Sequence, residues 1–395
     1  MNRRTVSRTD KPIIILFPYM WFPQAPTVMG LYEEIRKKRA VKIITLFTPE
    51  RGSILDNPDI IYLNRVARKN YSFLGRKTAY WLYQVSKLWY YLSFRTSPNF
   101  KRLNVERIDL FLQMRADLRQ ETPCEVIAVD PLAAFFCQLI RYKYHYLSLE
   151  LQKDRLEYMK VLNARSIKSI TTQTPKRLEL LTIKAKEKIR DIFFIQNAPN
   201  FQFPLNRTLA GNKLVYAGAL WEGFGFTRCM EFIKNYPGFT LLLKGSIACD
   251  INKYKEQYKK EISEGRIIID TEYTKSAEFN EQLSDCSIGF AFYDEEHPMI
   301  RESLPHYQTA PSGKMFSYFS LGIPVIGSSG LCEINDFAAG IALSDYSPAS
   351  ILKAIQTIRA DYTKYSDNAL KAAEHFNFSG HAEKYVDYLD KNCQS

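Results

Sequence analysis

The stretch APSGKMFSYFSLGIPVIGSSG, from Ala310 to Gly330, decides how the chain is read. Pro311, Ser312 and Gly313 stand where a helix would start, KMFSYFS carries apolar residues at helical spacing, Gly322 closes the helix, and IPVIGSS is an apolar strand. A loop of about sixteen residues leads into it from the strand SIGFAFYD, which ends at Asp294. A helix N-terminus at the carboxyl edge of a parallel sheet offers unpaired amides and a partial positive charge, and Lys314 adds a full charge beside them. A capped helix with a solvated lysine has the same local sequence, so the neighbouring units have to decide between a phosphate site and plain packing.

Upstream, from Lys213, strand and helix alternate: LVYAGAL, TRCMEFIKNY, FTLLLKG, INKYKEQYKKEI, RIIID, SAEFNEQLSDC and SIGFAFYD. Nearly continuous apolar strands separated by helices predict a parallel sheet covered on both faces. Gly218 ends the first of these strands, and Lys244 and Gly245 end the second, so three strand ends on one sheet edge carry glycine or lysine. A nucleotide would lie across them.

The first half repeats the pattern. PIIILF, VKIITLF, EVIAVD, HYLSLEL, SIKSITTQT and DIFFIQNAP read as strands, with LYEEIRKKR and AAFFCQLIRYKY as helices. A chain of 395 residues exceeds the usual size of one core. The expected architecture is α/β, with two Rossmann-like doubly wound domains facing across a cleft. The expected boundaries are residues 1–205 for a first domain, 206–380 for a second, nucleotide-binding domain, and 381–395 for a terminal helix or tail that can return to the first domain.

Charge divides the halves. Residues 1–200 hold 35 Lys and Arg against 18 Asp and Glu, a net of +17, while residues 201–395 hold 19 against 24, a net of −5. The first half therefore faces something anionic. Residues 65–102 hold nine Lys and Arg, no Asp or Glu and ten aromatics, including Trp81 and Trp89. This insertion fits a buried helix with solvated flanks, or an interfacial helix with aromatic residues at headgroup depth and cations on anionic lipid. It carries no nucleic-acid recognition motif, although basic residues interleaved with aromatics could serve single strands.

The N-terminus has a five-residue apolar run before Pro18 and no cleavage pattern, which predicts neither an export signal nor a membrane span. The seven cysteines are scattered without CxxC or Cys/His pairs, which predicts buried thiols in a reducing compartment and no metal site. The five histidines form no cluster either.

The run LVYAGAL, FTLLLKG, RIIIDTEY, CSIGFAFYD and SGKMFSYFSLGIPVIGSSG resembles the donor half of GT-B glycosyltransferases, especially the large group with a signature of the form K-x-F-x-Y-x-x-x-G-x-P-V-I. QNAPN and SLEL resemble the segments that close the first domain and face the acceptor in that family. The resemblance implies metal-independent transfer of a sugar from a nucleotide diphosphate sugar, UDP- or GDP-linked, with no separate cofactor. It places Gly218 near the diphosphate or sugar, the amides of Ser312 and Gly313 with Lys314 on phosphate, Tyr318 on the same face, Tyr273 near the nucleobase, and Glu150 near the acceptor. Two departures stand out. Ala219 follows the first-strand glycine where many retaining members have Arg, with no cation until Arg228, and Ser317 stands where many have a carboxylate. Lys314 or Lys244 must then supply the positive charge.

Asp130, at the end of EVIAVD, is the catalytic candidate read from position alone; its competing role is to cap LAAFFCQLI. The acidic loop Asp294 to His297 is a further candidate for sugar contacts. These readings lead to a glycosyltransferase, cytoplasmic and peripheral to the inner face of the cell membrane, that adds a sugar to a lipid-linked saccharide in bacterial surface polysaccharide assembly. A non-catalytic nucleotide-sugar-binding or scaffold protein on the same fold is the alternative.

Overall fold

The computed structural model describes residues 11–19, 25–46, 57–63, 105–150, 159–200, 211–272, 276–309 and 312–394. Two parallel sheets organise them. The first has seven strands in the order β3-β2-β1-β4-β5-β6-β7: β1 (Ile13–Phe17), β2 (Val41–Thr45), β3 (Ile60–Tyr62), β4 (Glu125–Val129), β5 (Tyr144–Leu147), β6 (Ile167–Thr172) and β7 (Asp191–Phe194). The second has six in the order β10-β9-β8-β11-β12-β13: β8 (Lys213–Ala217), β9 (Thr240–Lys244), β10 (Ile267–Asp270), β11 (Ile288–Ala291), β12 (Val325–Ser328) and β13 (Gly340–Leu343). Every strand pair is parallel.

Apolar runs such as Ile13–Phe17 and Val126–Val129 are buried on both sides because helices cover both faces. The chain reverses direction of growth at β1/β4 in the first sheet and at β8/β11 in the second. Crevices at the carboxyl ends of strands open at such switch points. Asp130 ends β4 at the first, and Gly218 ends β8 at the second.

Helix α1 (Pro26–Arg36) starts with proline in its first turn and buries Val28, Leu31 and Ile35 against the first sheet. The last helix, Phe378–Gln394, packs on that same face through Tyr385, Val386 and Leu389, although it follows the second sheet in sequence. Lys38 pairs with Asp387 and Arg39 with Asp390 along this contact. A disulfide joins Cys124, just before β4, to Cys393, with Cα atoms 5.2 Å apart.

That bond corrects the expectation of seven thiols. Cys137, Cys229 and Cys286 are buried thiols, and a partner 269 residues away leaves no spacing signal for the Cys124–Cys393 bond. The crossover before Ser312 also differs from the expected loop: it contains the short helices Pro298–Glu302 and α2 (Leu304–Thr309). The expectations for the insertion at 65–102 and for Tyr273 fall outside the described residues. Among the described residues no helix is long and apolar enough to cross a membrane.

Candidate active site

The donor-side candidates meet at the end of β8. Gly218, at φ +138°, donates its N–H to the Lys244 carbonyl at 2.8 Å. Gly245 lies so close alongside that a Cβ there would sit 1.9 Å from the Gly218 oxygen, so the approach of the two strand ends depends on glycine. Helix α3 (Gly313–Ser320) brings Lys314 over this corner: a Cβ on Gly218 would stand 3.7 Å from Lys314 Cε and 3.9 Å from Nζ.

The ammonium of Lys314 lies 4.2 Å from the ring centroid of Tyr216 and 5.2 Å from that of Phe224, and it donates to Tyr216 Oη at 3.2 Å. Among the described residues it has no carboxylate partner. Burial among these rings pushes its pKa down to about 7. A desolvated cation beside a helix N-terminus and a bare glycine strand end favours an incoming anion.

Ser312 occupies the N-cap position and is buried, but its side chain makes no capping bond to α3 and pairs instead with the Tyr293 hydroxyl. Gly313 packs on the first domain: a Cβ there would stand 3.0 Å from Asn197 Nδ2. Asn197, in turn, accepts a hydrogen bond from Thr27 Oγ1 of α1 at 2.9 Å. The start of α3 is therefore seated at the junction between the two sheets.

Two donor candidates are placed differently from expectation. Lys244 is not a spare cation, because its ammonium is fully buried, pairs with Asp270 Oδ2 at 2.6 Å and donates to the Glu272 carbonyl. Burial, the largest single influence, raises the Asp270 carboxyl, but the Lys244 bond, the Glu272 amide and the Lys244 charge together hold it below the usual range. Tyr318 does not line the site: it is buried beneath the strand end, where its hydroxyl accepts from Ala217 N at 2.6 Å and donates to the Phe290 carbonyl at 3.3 Å. Ser317 turns its hydroxyl back to the Gly313 carbonyl at 3.1 Å. In the acidic loop, Asp294 and Glu296 are both paired with Arg228.

On the first domain, the structure separates the two catalytic candidates. Asp130 is completely buried at φ +61°, and its Oδ1 accepts the amides of Leu149 at 2.7 Å and Glu150 at 2.9 Å. Its carboxylate therefore fixes the backbone after β5. Glu150 keeps 29% of its side chain exposed, and its Oε2 lies 3.1 Å from His306 Nε2 of α2, a residue of the crossover between β11 and α3.

Arg177, on the helix Pro175–Leu180, completes this junction and is fully buried. It donates to the Leu149 carbonyl, to Gln173 Oε1 at 3.3 Å and to His306 Nδ1 at 3.1 Å. Burial lowers its pKa, and the nearby charges of Glu150 and Asp130 oppose that fall. Thr174 caps this helix by accepting from Arg177 N, and its hydroxyl donates to the Thr309 carbonyl at the end of α2.

Sequence reasoning passed over three residues here. His306 stands alone in SLPHYQTA and Arg177 resembles a surface charge in TPKRLEL, so neither has a local signal. Glu333, after β12, has a carboxyl raised by burial, partly offset by a backbone amide hydrogen bond and, less, by Lys176 of the first domain. Only its position shortly past a strand end could have drawn notice.

No protein-family model matches the sequence, and no curated protein does. Solved structures do match in three dimensions. Sucrose-phosphate synthase from Thermosynechococcus elongatus aligns with TM-score 0.66 at 14% identity, covering 96% of this chain and 99% of that one. An α,α-trehalose-phosphate synthase (UDP-forming) from Burkholderia xenovorans, in complex with glucose-6-phosphate, aligns with TM-score 0.58 at 11% identity over 96% and 99%. The lipopolysaccharide outer core galactosyltransferase WaaB aligns with TM-score 0.57 at 12% identity over 95% and 99%. The two-domain α/β architecture is thus the GT-B fold. UDP-N-acetylglucosamine 2-epimerase also aligns, with TM-score 0.55 over 96% of each chain, so the fold alone does not specify the reaction.

Proposed function

We propose that this protein is a glycosyltransferase that moves a sugar from a nucleotide diphosphate sugar, UDP- or GDP-linked, to a hydroxyl acceptor. The observation that carries the proposal is Lys314: a partly buried ammonium without a carboxylate partner among the described residues, facing Gly218 at the second switch point. The solved structures of similar fold, which include UDP-forming and galactosyl-transferring enzymes, support the same class. In this reading the diphosphate lies against Lys314 and the first amides of α3.

Glu150 takes the proton of the acceptor hydroxyl. The acceptor oxygen then bonds to the sugar C1, and the bond from C1 to the diphosphate oxygen breaks with its electron pair leaving on the diphosphate. Lys314 and the α3 amides stabilise that negative charge as it grows. We assign neutralisation of that charge to Lys314 and the first amides of α3. The acceptor in this proposal is a lipid-linked saccharide of bacterial surface polysaccharide assembly, met at the inner face of the membrane by the basic first half.

Calorimetric titration with UDP tests the site. Lys314→Ala should weaken binding about 10- to 100-fold, as expected for loss of one charge-assisted contact. Equal affinity in the variant and the parent would sink the phosphate assignment. Ser317 in a carboxylate position favours the second reading, a nucleotide-sugar-binding protein without catalysis. UDP binding with no release of sugar from any of a panel of nucleotide sugars would select that reading.

A further inference from the structure

We propose that His306 is a positioning residue that aims the Glu150 carboxylate across the cleft, so that the base on one domain is oriented by the crossover of the other. This inference rests on the transferase reading only for the meaning of Glu150 as a base; the geometry stands by itself. A guanidinium can only donate hydrogen bonds. Arg177 lies 3.1 Å from His306 Nδ1, so that nitrogen presents its lone pair. The ring proton then sits on Nε2, which is 3.1 Å from Glu150 Oε2 and donates to it.

The chain of donors is thereby ordered, from Arg177 through the imidazole to the carboxylate. Arg177 is itself held by Leu149 and Gln173, and Asp130 grips the Glu150 amide. Glu150 is fixed at its backbone by its own domain and at its carboxylate by the other.

The next residue couples this arrangement to the donor side. Tyr307 packs against Tyr293 with ring centroids 4.9 Å apart and planes tilted by 37°, and reaches the Phe224 ring at 6.0 Å, the same ring that lies beside the Lys314 ammonium. Consecutive residues of α2 therefore touch the acceptor carboxylate and the aromatic wall of the cation. With the Thr174–Thr309 bond docking the end of α2, any shift of the crossover moves both.

The test uses the full chain with His306→Phe and His306→Gln variants. Ring-nitrogen NMR of labelled histidine, with the His306 signal assigned by its loss in His306→Gln, should show a neutral imidazole protonated on Nε2 at pH 7. His306→Phe should keep UDP affinity within about twofold and an unchanged donor KM. Its turnover on UDP-glucose, UDP-galactose or UDP-N-acetylglucosamine should fall about 10- to 100-fold, the scale of a misplaced catalytic group. His306→Gln, whose amide nitrogen reaches the place of Nε2, should recover most of that loss. An imidazolium or an Nδ1-protonated ring overturns the proposal, as does a Phe variant with parental turnover. If the parent neither binds UDP nor consumes a sugar nucleotide, the transferase reading fails, while the ring-nitrogen spectrum still decides whether Arg177 and Glu150 hold the ring.

Discussion

Lys314 shows what a single partly buried, desolvated charge costs and what it enables. An ordinary lysine titrates near 10.5, and burial brings this one to about 7. Between those values the unfolded chain holds a proton that the folded chain has released, so stability rises with pH across that window. Below about pH 7 both states are charged and the cost of burying the ammonium is present in full. Lys314→Met should therefore raise the melting temperature most at or below pH 7, and the gain should shrink by pH 9. Thermal melts of both proteins at pH 6.5 and 9 check this, and a gain that grows with pH contradicts it. The sequence already singled out Lys314 and Gly218, because glycine and lysine at strand ends are a local pattern. It could not distinguish Lys314 from Lys244, because the difference is made by Asp270, on another strand.

At the scale of elements, α3 is locked to the switch point by one hydroxyl. Tyr318 Oη satisfies the buried amide of Ala217, the residue before Gly218, and donates to the Phe290 carbonyl on β11. Tyr318→Phe leaves that amide without a partner and should cost about 1–3 kcal/mol of stability. UDP affinity should fall less than in Lys314→Ala, since the cation remains. Thermal denaturation together with UDP titration separates the two effects; a variant as stable as the parent would show that the bond does not hold the helix. The helices of the crossover between β11 and α3 were not legible as helices. They span five and six residues, too short for apolar periodicity to show, and tertiary contact with the helix Pro175–Leu180 supports the second of them.

For the whole molecule, the charge split between halves is the feature with an external consequence. A basic first half predicts adhesion to anionic lipid that weakens as the Debye length shortens. Flotation with vesicles containing phosphatidylglycerol should recover the protein at low salt and lose it on the order of 0.5 M salt. Failure to float at low salt would remove the membrane part of the proposed function. The fold modifies the split. The last helix returns to the first domain, where Asp387 and Asp390 pair with Lys38 and Arg39, and the Cys124–Cys393 bond fastens it there.

By itself the sequence determined two parallel sheets and the corner where Gly218 meets Lys314, because strand burial and strand-end composition are written locally. Tertiary structure alone decided which charges remain available. Asp130 and Glu150 were both candidate bases by sequence, yet Asp130 is buried on two amides, while Glu150 stays partly exposed and is held by His306. The physical reason is that a charged group's availability depends on its partners. Here those partners, from Asp270 for Lys244 to Arg177 and His306 for Glu150, come from strands and helices far apart in the chain.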